Sequence, residues 1–322
     1  MTPGAAAVIV LIVVVAAVGY LAISARLYGQ ITAVPPDSPL FGSPNTPASF
    51  SMMGLDCRPY RMPGHETVEF PDRTRSVGIS GWWIPVAGDP AAPCVVVVHG
   101  YASCRRDPAI LLAAGMLHRA GFAVLAIDLR NHGESGRTGG RHTGGIREQA
   151  DVLGAWDWLV RERHQAPGRI GLFGISLGAA SVLMAAGAEP AVAAAWSDSS
   201  YGDLDEATAA ELRRNRLPAF LLPGGRLAAR LLDGPGLGAD SPLRGVAAMT
   251  GRAVFITHGT RDTRLHVRFA DELIEAGATA GAHVGSWIVD GSEHAEAIVD
   301  HPAEYERRLV DFFGRALRGD VS

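Results

Sequence analysis

The stretch RIGLFGISLGAASVLMAAGA, residues 169–188, runs from a short apolar segment through a G-x-S-x-G turn into a run of small helix-forming residues. Continuous apolar segments of this length, bounded by turn residues, read as strands buried on both faces. A strand that bends sharply into a helix at Gly174-Ile175-Ser176-Leu177-Gly178 holds the serine in a strained conformation and projects its hydroxyl above the sheet. The flanking glycines let neighbouring backbone approach where a Cβ would clash. The alternative reading of Ser176 is an ordinary helix cap, a position serine favours.

The same alternation continues on both sides. Strands are expected at 66–70, 78–86, 94–100, 122–128, 169–174, 191–198, 253–259 and 284–291. Helices are expected at about 107–120, 146–164, 177–187, 264–277 and 302–317. The first two strands flank a PDRTRS turn and should pair antiparallel. The rest predict a parallel sheet covered by helices, whose active sites lie at the carboxyl ends of the strands.

A serine hydroxyl needs a general base, and an imidazole base needs a carboxylate to fix its tautomer. His294, in DGSEHAE just after the last strand, is the best-placed base; His118, His142, His164, His283 and His301 fall on helices, in a Gly-rich loop or at the wrong sheet edge. Asp262, in THGTRDTR after strand 253–259, is the expected acid, with Asp198 after strand 191–198 as its rival. The backbone N–H groups of Tyr101, after CVVVVHG, and of Leu177 at the elbow are candidate oxyanion donors. His99 reads as a structural hydrogen-bonding residue, and Asp128 and Arg130 as locks on the DLRNHGES loop. Arg105 and Arg106 read as solvated or paired residues.

The motifs HGYAS, DLRNHGES, GISLGA, HGTRD and GSEHAE, in that order over roughly 55–318, resemble the α/β-hydrolase superfamily. Within it the chain is similar to bacterial esterase-like members related to dienelactone hydrolases and to the prolyl-oligopeptidase catalytic domain. The resemblance implies an eight-stranded, mostly parallel sheet and a Ser-His-Asp triad of Ser176, His294 and Asp262. The loop reads R-N-H-G where many members have R-G-H-G, and Asn131 is expected to tolerate that turn in the left-handed region.

Composition narrows the chemistry. The chain has 322 residues and a formal net charge of -4, so nothing favours nucleic acid as a partner. All 29 basic residues are Arg, which removes Walker-loop, Schiff-base and Ser-Lys chemistry. Cys57, Cys94 and Cys104 lack metal-site or disulfide-framework spacing and read as buried thiols. No metal or organic cofactor is called for.

Ala5–Ile23 carries no charge, and 19–21 apolar residues are enough for a bilayer at ~1.5 Å per residue. Residues 1–29 are therefore expected to be an uncleaved single-pass anchor, with a signal peptide and a buried core helix as the other readings. Arg26 leans the domain towards the cytoplasm, a bias one charge does not settle. Residues 30–54 read as a Pro-rich extended linker, part of which Leu40, Phe41 and Phe50 can dock on the domain or the bilayer surface, and 55–322 as the catalytic domain. The segment 199–250 is an insert of one or two short helices, with apolar runs flanked by Arg213, Arg214, Arg216, Arg226 and Arg230. It reads either as a lid over an acyl pocket or lipid-touching surface, or as ordinary packing. The GPGLG at 234–238 is no dinucleotide loop, because it follows no strand.

The expected function is cleavage of carboxylic esters or thioesters, on a small-molecule or lipid-like acyl substrate. The alternatives are a peptidase or acyltransferase with the same triad, and a non-catalytic membrane-bound binding module.

Overall fold

The computed structural model describes residues 2–233 and 240–319; the GPGLG segment lies outside them. Eight strands form one sheet: β1 (Glu66–Pro71), β2 (Gly78–Ile84), β3 (Cys94–Val98), β4 (Ala123–Ile127), β5 (Ile170–Ile175), β6 (Ala194–Asp198), β7 (Ala253–Gly259) and β8 (His283–Val289). Their spatial order is β1-β2-β4-β3-β5-β6-β7-β8. β2 pairs antiparallel with both β1 and β4, and every pair from β4 onward to β8 is parallel.

The helices are α1 (Pro3–Thr32), α2 (Pro108–Arg119), α3 (Glu148–Glu162), α4 (Leu177–Ala188), α5 (Leu204–Arg214), α6 (Leu222–Asp233), α7 (Pro242–Ala247), α8 (Arg268–Thr279), α9 (Ala297–Asp300) and α10 (Pro302–Arg318). The unbroken Val95–Val98 run has a simple cause. Val96 and Val98 enter the cluster that also holds residues of α3, α4 and α8, while Val95 and Val97 enter the cluster with α2 and α10. Successive side chains point to opposite faces, so a strand covered twice must be apolar at every position. Cys57, Cys94 and Cys104 are buried and free.

Three features differ from the sequence reading. The first is α1, which continues to Thr32 as one helix. Residues 7–19 are exposed along their whole length, whereas Ser24 and Thr32 are buried against the domain. Second, docking of the Pro-rich linker, expected for part of it, reaches from Val34 to Phe50. Val34 and Phe50 are buried, Ser38 donates to the Ala102 carbonyl at 2.7 Å, and Asn45 donates to that of Arg106 at 3.2 Å. Its prolines prevent a helix or ladder, but its apolar side chains still have surface to cover. Third, the insert holds three helices, α5, α6 and α7, and a short 3-10 turn at Ala219–Leu221.

Candidate active site

Ser176 occupies the turn between β5 and α4 at φ 54° and ψ −115°. A non-glycine residue held there costs on the order of 1–3 kcal/mol, stored in the fold. Its side chain makes no capping bond to α4, so the helix-cap reading is not what the geometry displays. Both motif glycines are required by crowding. A Cβ on Gly174 would fall 2.3 Å from the Gly178 carbonyl oxygen, and one on Gly178 would fall 2.5 Å from the carbonyl oxygens of Val98 and His99. The elbow is thus pressed against the end of β3.

The Ser176 hydroxyl lies 2.9 Å from His294 Nε2, and His294 Nδ1 lies 2.7 Å from Asp262 Oδ2. An ionised carboxylate can only accept, so Nδ1 carries the proton and Nε2 is left to accept from the serine. The loops carrying His294 and Asp262 are tied together. The Arg261 N–H donates to Ser292 O at 3.0 Å, and a Cβ on Gly259 would fall 2.2 Å from that same oxygen.

Asp262 accepts from three donors, and a fourth nitrogen, on an imidazole ring, stands beside it. Its Oδ1 accepts from the N–H groups of Arg264 at 2.9 Å and Leu265 at 2.7 Å, and its Oδ2 faces His258 Nε2 at 3.1 Å as well as His294. Burial works against its charge, but hydrogen bonds from His258 and His294 outweigh burial, and its pKa lies below the usual carboxylate range. His258 is buried and also donates Nε2–H to the Leu265 carbonyl at 2.7 Å. Burial opposes its protonation, but the bond to Asp262 prevails, and its pKa is raised above the ordinary histidine value.

The rival acid does not touch His294. Asp198 is buried and accepts from the Tyr305 hydroxyl at 2.7 Å and the Ser199 hydroxyl at 2.9 Å. Burial raises its pKa.

The loop after β3 lies directly against the elbow, since a Cβ on Gly100 would meet the Ser176 Cβ at 3.4 Å. Among the described residues, neither the Tyr101 nor the Leu177 N–H has a protein acceptor. The loop is braced by two histidines. His99 accepts the Leu129 N–H at Nε2 (3.0 Å) and gives its Nδ1 proton to the Gly100 carbonyl (2.7 Å). His132 accepts the Ala102 N–H at Nε2 (3.3 Å) and gives its Nδ1 proton to the Arg130 carbonyl (2.8 Å). Each must therefore be neutral. Burial pushes His99 down to about 4 and His132 down to about 3.

The next loop is locked as its composition suggested. Arg130 clamps Asp151 through Nε at 2.9 Å and Nη2 at 2.6 Å, and Asn131 adopts φ 66° with Oδ1 accepting from the Thr138 N–H at 2.6 Å. Arg105 is fully buried, not solvated. It pairs with Asp128 and donates to the Ser80 hydroxyl at 3.0 Å.

A cavity of about 550 Å³ lies over Ser176, lined by Tyr101, Leu177 and Leu265 from the domain and by residues of α1 and α5. Reading the sequence missed His258, His132 and the contribution of α1. A weak signal existed for His258, which stands four residues before Asp262 at the end of β7.

Comparisons with known proteins agree with this architecture. The profile of the family described as X-Pro dipeptidyl-peptidase (S15 family) matches residues 80–224, which include Ser176 but neither Asp262 nor His294. An uncharacterised 31.7 kDa protein of Escherichia coli, from the traX-finO intergenic region, is 28% identical over 152 residues, 47% of this chain and 52% of that protein. The chain thus spans about half the length of that relative. The Pyrococcus furiosus esterase Pf2001 superposes with a TM-score of 0.64 at 24% identity, covering 84% of this chain and 99% of the esterase. The Pyrococcus horikoshii acylaminoacyl peptidase gives 0.57 at 19% identity, covering 80% of this chain and 42% of the peptidase. The chain has the α/β-hydrolase fold.

Proposed function

We propose that this chain is a membrane-anchored serine hydrolase that cleaves carboxylic esters or thioesters. The reading is carried by the unbroken relay from the Ser176 hydroxyl through His294 to Asp262, at 2.9 and 2.7 Å. His294 Nε2 takes the serine proton as Oγ attacks the acyl carbon. The Tyr101 and Leu177 N–H groups hold the oxyanion, and Asp262 stabilises the imidazolium. His294 then gives its proton to the departing alcohol or thiol. Water, deprotonated in turn by His294, cleaves the acyl-enzyme, releasing the acid and restoring Ser176. In this reading α1 is the anchor; Pro3–Thr32 is the one described helix long and apolar enough to cross a membrane.

A peptidase is the second reading, favoured by the S15 profile match and the acylaminoacyl peptidase neighbour. The relay serves amide cleavage equally, so substrate panels decide between the two. An acyltransferase would use the same acyl-enzyme with another acceptor. The test of the shared chemistry is labelling by a fluorophosphonate probe. Wild type should label and Ser176→Ala should not; a folded wild type that takes no probe would leave a binding module as the better reading.

A further inference from the structure

The cavity over Ser176 is not enclosed by the catalytic domain alone. Leu27 and Ile31, in the last two turns of α1, line it together with Leu204 and Thr208 of α5. A second cavity of about 110 Å³ shares these four residues and continues between α1 and α6, reaching Ser24 on one wall and Leu221 on the other. The two spaces form one groove. It runs from the serine to the place where α1 leaves the domain, since residues 7–19 beyond Ser24 are exposed. Pro3–Ile23 rises about 31 Å at 1.5 Å per residue, the thickness of a hydrocarbon layer. The outer end of the groove therefore opens where that span meets the bilayer surface.

The insert is fastened at this level. The Tyr20 hydroxyl donates to the Phe220 carbonyl at 2.8 Å and accepts the Gly224 N–H at 2.9 Å, and the two rings stack at 6.2 Å. A Cβ on Gly224 would fall 2.3 Å from Ser24 Oγ, so only glycine lets the helices meet this closely. Beside this joint the insert exposes Phe220 at 66% and Leu231 at 77%. Apolar side chains this open are costly in water and are solvated by acyl chains in the bilayer. Arg213, Arg216 and Arg230 are exposed on the same insert, and cations are favoured near an anionic membrane surface.

We infer that the substrate is a membrane-resident lipid ester whose acyl chain enters along the groove between α1 and the insert and presents its carbonyl to Ser176. On this view α1 is a wall of the substrate site as well as a tether. The inference rests on the hydrolase reading and narrows its substrate class. The water-soluble alternative, a short acyl ester entering from the aqueous side, is the competing outcome.

The experiment uses the full chain in vesicles of phosphatidylcholine with a minority of phosphatidylglycerol, comparing p-nitrophenyl dodecanoate with p-nitrophenyl acetate. Wild type should prefer the dodecanoate in kcat/KM by about ten-fold or more. Ile31→Trp, which fills the groove, and Gly224→Leu, which wedges α6 from α1, should each lower the dodecanoate-to-acetate ratio by about ten-fold. Val13→Trp, on the exposed part of α1, should leave the ratio unchanged. Acetate turnover with no chain-length preference, or a ratio that neither groove variant moves, would overturn the inference alone. Absence of both acetate turnover and fluorophosphonate labelling in folded wild type would overturn the hydrolase reading and the inference with it.

Discussion

His258 and His294 approach the same oxygen of Asp262, at 3.1 and 2.7 Å. His258 is buried within β7, while His294 stands on a loop with its side chain partly exposed. The buried ring therefore stands against the carboxylate that orients the partly exposed one. We treat His258 as a positioning residue. His258→Ala should lower kcat/KM by roughly ten-fold, about 1.4 kcal/mol, with KM little changed. Loss of its bond should also raise the Asp262 pKa, seen in the carboxylate's titration profile on the acid side. His258→Gln, which can still donate, should recover part of the loss. A profile unmoved by either variant would reduce His258 to packing.

Asp262→Asn removes the acceptor that holds the His294 proton at Nδ1. A fall of about 10³–10⁴ in kcat is expected near neutral pH, with the fold intact. Asp198→Asn is the matched control. It should cost stability, because the Tyr305 and Ser199 hydroxyls lose a charged acceptor, but should leave more than a tenth of the activity, roughly a 1.4 kcal/mol bound. The reverse ranking in an esterase assay would make Asp198 the acid.

Gly178→Ala should be damaging out of proportion to one methyl group. The new Cβ would meet the backbone oxygens of Val98 and His99 at 2.5 Å, and neither backbone can yield without moving the loop that carries Tyr101. Overpacking of this kind costs about 1–3 kcal/mol. Activity should fall further than stability, because the elbow and the loop separate. In contrast, a Cβ on Gly314 of α10 meets nothing within 4 Å, and Gly314→Ala should stabilise by about 0.5–1 kcal/mol. Thermal melts of the two variants test the contrast directly.

Acid should loosen the loop after β3. An unfolded histidine takes its proton near pH 6.5, whereas His99 and His132 do so only at about 4 and about 3 in the folded protein. Between those limits the unfolded state binds more protons, so stability falls as pH falls, by about 1.4 kcal/mol per pH unit for each histidine. His258 has the opposite sign. Its raised pKa gives stability that is complete below the unfolded value and is lost as pH rises through the folded one. The balance still favours acid destabilisation, which should appear as a falling melting temperature between pH 6.5 and 4. His132→Asn should flatten the slope by about one proton's worth.

Legibility followed locality. The elbow at Ser176 and the sheet built around β3 could be read because continuous apolar strands and turn glycines are short-range signals. Asn131 was legible for the same reason, since its left-handed conformation is a property of one residue and its neighbours. The interaction of His258 with Asp262 was not, because β7 reads as an apolar strand and nothing in AVFITHG tells which face its histidine takes. For Arg105 the sequence left solvated and paired readings open, because the distant Asp128 and Ser80 that settle it as paired are brought to it only by the fold. Docking at Phe50 was legible from an apolar side chain in a polar stretch, whereas that of Val34 was not, because the prolines report what the backbone cannot do and are silent on what the side chains cover. The joint between α1 and α6 pairs residues 200 apart in the chain, beyond any local pattern.

The hydroxyl of Tyr101 donates to the Ala33 carbonyl at 2.7 Å, at the end of α1. A shortened version engineered for aqueous handling by starting after that helix would therefore change more than solubility. It would unroof the chamber above the serine and slacken the strand-end loop expected to cradle the developing negative charge. Turnover measured on such a fragment would describe a different catalyst, with a wider mouth and a weaker grip, so the chain with its first helix in place is the form that carries its natural preferences.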